Sequence, residues 1–387
     1  MSLKDLDLVC FSHLRWNFVF QRPQHLLTRF STKMRVFYIE EPIFINEPDF
    51  CQLTQSEENI WVVVPHIQRD ISEQELIRRQ KKLLFDLFAE KEIENYIFWY
   101  YSPLFLSISD SFEPKLIVYD CMDELSAFKF APEGLKRSEE ELFKKADLVF
   151  TGGHSLYEAK KHRHANIYPF PSSIDKQHFK LARTLSIDPQ DQQSIPHPRL
   201  GFYGVIDERM DLDLIARVAT EKPEWHFVLI GPTVKVDPNS LPRLSNIHYL
   251  GGKSYKELPS YLAGWDITII PFALNESTRF ISPTKTPEYL SAGKPVISSS
   301  IQDVVRPYGN KKLVHIADTP EDFIKAAETE LSVDDRTPWL LEVDVFLEEI
   351  SWDKTWGQMM QLIEDKLADK AQEKKTYNQN LKEKIYV

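Results

Sequence analysis

The sequence predicts an α/β protein made of two doubly wound domains that face each other across a cleft. Its 387 residues are enough for two hydrophobic cores. Short apolar runs alternate with amphipathic stretches along the chain, and strands separated by helices pair in parallel through right-handed crossovers. Residues 183–198 interrupt this alternation, because they are polar, contain prolines and have neither helical nor strand periodicity. We therefore expect a linker there.

The first half of the chain has the composition of a buried parallel sheet. Its strand candidates are apolar at consecutive positions, which is typical of strands covered on both faces. Amphipathic stretches between them predict helices. The predicted strands are DLVCFS (7–12), MRVFYIE (34–40), NIWVVVP (59–65), NYIFWYY (95–101), KLIVYD (115–120), DLVFTG (147–152) and NIYPFP (166–171), and the clearest helices are at 71–90 and 131–146.

The second half repeats this pattern more regularly after the linker. Six apolar runs predict strands, RLGFYGVI (199–206), HFVLIGP (226–232), NIHYLGG (246–252), DITIIPF (266–272), PVISS (295–299) and KLVHIA (312–317), and helices are predicted at 211–221, 254–264, 283–293 and 320–331.

The chain end predicts one more helix, with Ser351 as its N-cap and an apolar stripe that packs back toward the first domain. The predicted domains are residues 1–182, a linker at 183–198, a second domain at 199–350, and a helix and tail at 351–387.

Composition narrows the class of protein. The formal net charge of −11 argues against nucleic-acid binding, which favours a positive surface. Three cysteines without metal-ligand spacing predict reduced thiols in the cytoplasm. The sequence contains no run of about 18 apolar residues, so it predicts no membrane-spanning helix. We expect a cytoplasmic protein, with peripheral contact at the inner face of the membrane as a further option.

Residues 282–296, SPTKTPEYLSAGKPV, predict a helix whose entrance binds an anion. Free backbone N–H groups and the helix dipole favour negative charge there. Lys285 has the wrong sign for a first helical turn, which a bound phosphate would explain. The alternative is an ordinary helix start with a solvated lysine.

Three segments together resemble a known family. SPTKTPEYLSAGKPV, LGFYGVIDERMDLDLIARVATEKPEWHFVLIGP and NIHYLGGKSYKELPSYLAGWDITIIPF are similar to the donor domain of nucleotide-sugar glycosyltransferases of group 1, which have the GT-B fold. Many members make bacterial envelope and polysaccharide glycans. The resemblance implies two Rossmann-like domains and a UDP- or GDP-sugar donor. It also implies that Glu288 holds the ribose, that Gly204 lets the backbone approach the donor, and that Arg209 pairs with the pyrophosphate.

The full set of donor-binding candidates is Gly204, Arg209, Gly231, Gly251, Arg279, Ser282, Thr284, Lys285 and Glu288. Two positions depart from the family pattern. Phe280 occupies the place of a glutamate that contacts the transferred sugar, and Leu214 occupies the place of a lysine.

The first domain supplies candidates for the acceptor and for catalysis. Arg15, Trp16 and Arg22 surround a predicted helix start and are the acceptor-binding candidates, although an arginine there can also be a plain surface residue. Asp120 and Asp123 follow a strand, and His13 follows another. These three are the catalytic candidates, and the alternative for the aspartates is helix capping.

The expected function is transfer of a sugar from a nucleotide-diphosphate sugar to an acceptor hydroxyl on a glycan or a lipid-linked glycan. No cofactor and no obligatory metal are expected, because the aspartates of the catalytic cluster, Asp120 and Asp123, form no DxD triplet. Two alternatives stay open at this point: a sugar-nucleotide epimerase of the same fold, and a non-catalytic subunit that binds a sugar nucleotide or glycan.

Overall fold

A computed structural model describes the backbone of residues 3–385 and the side chains of residues 3–377. The first domain is built on a nine-stranded sheet. The strands are β1 (Asp7–Ser12), β2 (Arg35–Glu40), β3 (Ile43–Ile45), β4 (Phe50–Gln55), β5 (Ile60–Gln68), β6 (Tyr96–Tyr100), β7 (Leu116–Cys121), β8 (Leu148–Thr151) and β9 (Ile167–Pro169).

The order of this sheet is β3-β5-β2-β1-β6-β7-β8-β9, with β4 added antiparallel to β5. All seven predicted strands are present. The short strands β3 and β4 are additional, and most of their residues are exposed or half-buried, so no continuous apolar run marks them. The helices of this domain are α1 (Arg22–Phe30), α2 (Glu73–Glu90), α3 (Leu106–Ser109), α4 (Leu135–Lys145) and α5 (His154–Lys160).

The second domain contains a six-stranded parallel sheet. The strands are β10 (Arg199–Tyr203), β11 (His226–Ile230), β12 (Ile247–Tyr249), β13 (Ile267–Ile270), β14 (Val296–Ser298) and β15 (His315–Ile316), which correspond to the six predicted strands. The helices are α6 (Lys176–Lys180), α7 (Leu212–Glu221), α8 (Leu258–Ala263), α9 (Lys285–Ser291), α10 (Gln302–Val305), α11 (Pro320–Leu331) and α12 (Thr337–Leu347).

The strand order of the second sheet is β12-β11-β10-β13-β14-β15. The direction of winding reverses between β10 and β13. In open parallel sheets, ligands bind outside the carboxyl ends of the strands at such a switch point. The loops that follow β10 and β13 therefore border the expected binding crevice.

The junction between the domains is packed rather than free. Ile174, Phe179 and Ile195 are buried in the core of the second sheet. Gln192, in the predicted linker, accepts a hydrogen bond from the Trp265 indole N–H at 2.7 Å. On this packing we propose that the domain boundary lies nearer residues 171–173 than 183–198.

The last helix, α13 (Trp352–Ile385), contributes to the first domain. Trp352, Met359 and Ile363 are buried in a core cluster with residues of the first sheet. The Trp352 ring stacks on the His25 ring of α1, with 4.6 Å between centroids. The Ser351 hydroxyl accepts from the Lys354 backbone N–H, as expected of an N-cap. Within the described part of the chain, no helix is long and apolar enough to cross a membrane.

The two domains touch through loops at the carboxyl ends of their strands. Asp303 of α10 accepts a hydrogen bond from the Ser155 backbone N–H of α5 at 2.9 Å. Phe20, before α1, stacks on Tyr255 of the second domain with 4.4 Å between ring centroids. The carboxyl edges of the two sheets thus face each other, which places the loops after β1 and β7 opposite those after β10 and β13.

Candidate active site

Glycines line the carboxyl edge of the second sheet at the switch point. Gly204 follows β10, and its φ of +139° is a backbone conformation that other residues rarely adopt. A Cβ atom at this position would overlap the side chain of Lys285. Gly231 lies against the Gly204 carbonyl, and its N–H donates to the Gly251 carbonyl at 2.9 Å. The three predicted glycines are therefore neighbours, and Gly204 provides the space that Lys285 occupies.

Lys285 is a buried cation at this edge. Its ammonium lies 5.3 Å from the centroid of Phe202 and 5.7 Å from that of Phe272. Burial lowers the pKa of Lys285, and the nearby Arg209 lowers it further. The described residues give the ammonium no direct ion pair, although the charges of Glu288 and Asp207 partly offset the lowering of its pKa. A buried ammonium without a direct ion pair favours an anionic ligand, which would restore the ordinary pKa.

Arg209 lies in the loop after β10 and reaches toward the first domain. Asp207 holds its guanidinium through two hydrogen bonds, Nε to Oδ1 at 2.9 Å and Nη2 to Oδ2 at 2.6 Å. The guanidinium also lies 5.7 Å from the centroid of Phe128, which belongs to the loop after β7. Arg209 is thus fixed by its neighbour and spans the cleft.

Glu288 lies deeper than a helix entrance would suggest. It is 4 % exposed, and one of its carboxylate oxygens accepts a hydrogen bond from the Tyr203 hydroxyl. Burial raises the pKa of Glu288. Tyr203 ends a buried strand and looks like any core aromatic residue in the sequence, so the sequence alone does not identify it as the partner of Glu288. The carboxylate is therefore buried beside the last residue of β10 rather than exposed at the start of the helix.

We expect Glu288→Gln to weaken the binding of ribonucleotides while leaving the affinity for 2′,3′-dideoxynucleotides nearly unchanged. A carboxylate accepts hydrogen bonds from both hydroxyls of a ribose, and an amide does so less strongly. Calorimetric titration of both ligand types measures the difference. Tyr203→Phe is the control for the lost contact between the two side chains. Equal losses for the two ligand types would remove Glu288 from the ribose role.

The remaining donor-binding candidates border α9 and its preceding loop. The Ser282 hydroxyl accepts from the Ser172 backbone N–H at 3.2 Å, so it already takes part in the domain junction. Thr284 precedes the helix without a capping hydrogen bond. Arg279 has a 64 % exposed side chain, 4.0 Å from Glu276. The helix itself has seven residues, so Lys285, rather than the helix dipole, provides most of the positive charge here.

Arg22 and Asp120 form a buried ion pair inside the first domain. Strand β7 continues to Cys121, so Asp120 lies within the strand instead of in the loop after it. The Arg22 guanidinium donates to both Asp120 oxygens at 2.8–3.2 Å and to the Phe170 carbonyl at 2.7 Å. Both residues are at most 3 % exposed. These contacts favour a structural role, against the expected acceptor and catalytic roles.

We expect Asp120→Asn to destabilise the protein by about 3–5 kcal/mol, because it leaves the Arg22 charge buried without its partner. Chemical denaturation measures the loss. Exchange of an exposed carboxylate, Glu113→Gln, is the control and should have little effect. A variant with normal stability but lost turnover would instead return Asp120 to the catalytic candidates.

The other two acceptor candidates also have partners within the first domain. Arg15 donates to Glu40 at 2.8 Å and to the Glu41 carbonyl at 2.7 Å, with 39 % of its side chain exposed. Trp16 is 5 % exposed and packs edge-to-face on Tyr38. Arg15 can still contact a ligand. The Trp16 ring belongs to the core, so its position does not support acceptor binding.

Asp123 is the aspartate that faces the second domain. It is half-buried in the loop after β7, and the described residues give its carboxylate no hydrogen bond. Burial raises the pKa of Asp123 to about 6, and the guanidinium of Arg209 across the cleft is the strongest opposing influence. A carboxylate with a pKa of about 6 is ionised at neutral pH and suited to take up a proton.

His13 lies at the same edge, in the loop after β1. Its Nδ1 atom is shielded from solvent and has no hydrogen-bond partner. Burial and, to a smaller extent, the positive charge of Lys235 in the second domain together lower the pKa of His13 to about 4. The ring is therefore neutral at physiological pH, which is the form that can accept a proton.

The two residues that depart from the family pattern, Phe280 and Leu214, both make apolar packing contacts. Phe280 packs against the core cluster that includes Cys121 and Tyr119 of the first domain. Leu214 is 5 % exposed in the core of the second domain. Neither position can supply the polar group that the pattern contains there.

Comparison with known proteins agrees with the architecture. Residues 197–332 match the family model of Glycosyl transferases group 1. A putative teichuronic acid biosynthesis glycosyltransferase, TuaH of Bacillus subtilis (strain 168), is 28% identical over 249 residues, which is 59% of this chain and 62% of that protein. The chain thus spans less than two thirds of the length of this curated relative.

Solved structures share the fold over nearly the whole chain. Sucrose-phosphate synthase from Thermosynechococcus elongatus superposes with a TM-score of 0.70 at 13% identity, covering 94% of this chain and 100% of that one. Anabaena HepE in complex with UDP gives a TM-score of 0.66 at 10% identity, covering 93% and 100%. An Escherichia coli trehalose-6-phosphate protein bound with UDP-2-fluoro glucose gives a TM-score of 0.66 at 12% identity, and the match covers 93% of this chain and 99% of that one. The predicted resemblance is confirmed: the chain has the GT-B fold of these structures, and residues 197–332 are similar to the group 1 glycosyltransferases.

Proposed function

We propose that the protein is a glycosyltransferase that moves a sugar from a nucleotide-diphosphate sugar to an acceptor hydroxyl. The observation that carries this proposal is the pair of cations at the switch point of the second sheet. Lys285 fills the space left by Gly204, and Arg209 is held beside it by Asp207. Two fixed cations next to closely spaced glycine backbones suit a diphosphate.

Charge neutralisation explains how this site would promote transfer. As the bond between the sugar and the diphosphate breaks, negative charge grows on the leaving group. Lys285 and Arg209 would stabilise that charge without reorganisation, because packing and Asp207 already position them. Asp123, across the cleft, would accept the proton of the acceptor hydroxyl or orient that hydroxyl.

The acceptor belongs to the first domain in this proposal. Arg15, Asp123 and His13 border the side of the cleft formed by the loops after β1 and β7. A glycan or lipid-linked glycan of envelope polysaccharide synthesis is the proposed acceptor class, supported by the similarity to the putative teichuronic acid biosynthesis glycosyltransferase of Bacillus subtilis. The epimerase and the non-catalytic subunit gain no support from the comparisons.

The proposed location is the cytoplasm, because Cys10, Cys51 and Cys121 are all free thiols. Contact with the inner face of the membrane is a further part of the proposal and would involve the lysines near the end of α13. Sedimentation of the protein with anionic liposomes, before and after removal of residues 370–387, tests it. Equal sedimentation of the two forms would refute a role for this segment.

A thermal-shift panel tests the central proposal. Uridine, guanosine and adenosine diphosphates and their common sugar forms are added to the purified protein. A ligand at 100 times its dissociation constant stabilises the protein by ~2.7 kcal/mol, which gives a clear rise in Tm. We expect one base to stand out and its diphosphate to outperform its nucleoside. No shift with any of these ligands would contradict the proposed function.

A further inference from the structure

Glu208 has a carboxylate that is buried without a partner. Both of its oxygens are shielded from solvent, and neither has a hydrogen-bond partner among the described residues. A polar group taken from water without compensation destabilises the fold. Buried polar groups in proteins almost always have a hydrogen-bond partner, so the two orphaned oxygens of Glu208 require an explanation, and a bound ligand would provide one.

Backbone hydrogen bonds hold the loop that carries Glu208 in place, so the position of its side chain is well defined. Ile206 pairs with Thr233 in a parallel bridge, and Met210 pairs with Phe272 in an antiparallel bridge. The Asp211 N–H also donates to the Pro271 carbonyl at 2.8 Å. The loop is thus tied to the loops after β11 and β13, at the switch point where the crevice lies.

The neighbouring Arg209 interacts with the charge of Glu208, which helps to raise the Arg209 pKa, but it donates no hydrogen bond to Glu208 among the described residues. Both hydrogen-bonding nitrogens recorded for the Arg209 guanidinium donate to Asp207. Two adjacent carboxylates thus lie near one cation, and among the described residues only Asp207 accepts hydrogen bonds from it. Glu208 therefore remains available to accept hydrogen bonds from a bound ligand.

We propose that Glu208 binds hydroxyl groups of the donor's sugar ring and selects a neutral sugar. This inference rests on the proposed function, in which Arg209 and Lys285 bind the diphosphate. A carboxylate would repel phosphate, so Glu208 suits the group beyond it. A sugar ring provides O–H donors in pairs, and a carboxylate accepts two of them at once. A uronic acid would bring a second carboxylate to the same place and is disfavoured.

Calorimetric titration of wild type and Glu208→Gln tests this assignment. The ligands are the preferred nucleoside diphosphate, UDP or GDP, and its neutral sugar form, with UDP-glucuronic acid added if the base is uracil. We expect the ratio of the Kd of the neutral sugar form to that of the diphosphate to rise about tenfold in the variant, with the diphosphate affinity nearly unchanged. The preference against the uronic acid form should shrink.

Thermal stability without ligand provides a second readout. Glu208→Gln removes a shielded charge that accepts no hydrogen bond, so its Tm should equal or exceed that of wild type. A purely structural role predicts a lower Tm. Glu224→Gln, an exposed carboxylate of the same domain, is the matched control and should leave both Tm and the Kd ratio unchanged.

Two failures can be told apart. A wild-type protein that binds no nucleotide would overturn the proposed function and this assignment with it. Nucleotide binding with an unchanged Kd ratio in Glu208→Gln would overturn the assignment alone.

Discussion

Asp123→Asn should lower kcat by about 10²–10⁴-fold and leave the affinity for the donor nearly unchanged. This range is typical of the loss of a general base. The change keeps the shape of the side chain, so the loop after β7 should keep its contact with Arg209 through Phe128. Steady-state kinetics together with nucleotide titration separate the two effects.

The pH profile adds a test with a defined sign. Burial raises the pKa of Asp123 to about 6, so the carboxylate is ionised above that pH and protonated below it. A base must be ionised, and wild-type kcat should therefore fall as the pH decreases through about 6. Asp123→Asn should lose this part of the profile.

The control for Asp123 is Glu133→Gln, because Glu133 is an exposed carboxylate between the same strand and α4. Its kcat should match that of wild type. Near-normal turnover of Asp123→Asn would make the residue structural and would turn attention to His13, whose neutral ring borders the same cleft.

Lys285→Met should weaken the binding of the nucleoside diphosphate by about 10–100-fold, while the nucleoside alone loses little. Hydrogen bonds to charged groups contribute about 1.5–3 kcal/mol, which corresponds to this range. Methionine keeps most of the apolar stem between Phe202 and Phe272, so the fold should be preserved. Arg209→Gln should act in the same direction.

Calorimetry with the diphosphate and the nucleoside measures the difference between the two ligands. Lys256→Met is the control, since the Lys256 side chain is 88% exposed and lies outside the crevice. If Lys285→Met weakens both ligands equally, Lys285 does not bind the diphosphate, and the proposed anion site is wrong.

The sequence by itself determined the architecture, because buried parallel strands need consecutive apolar residues and these runs stand out. Thirteen of the strands, including β1, β7 and β10, follow such runs. The edge strands β3 and β4 are exposed and carry no comparable signal. Helix α12 exposes Leu341 and Val345, so its apolar residues do not form a single buried stripe.

The sequence also predicted where a binding crevice would lie, because loops after parallel strands gather at one edge. It could not say which polar side chains in those loops would find partners. Arg22 and Asp120 are 98 positions apart and neutralise each other, whereas Asp123 and Lys285 form no direct ion pair within the described part of the chain. Pairing depends on distances of a few ångströms between segments remote in sequence. Only the tertiary structure decided which charges serve the fold and which remain for a ligand.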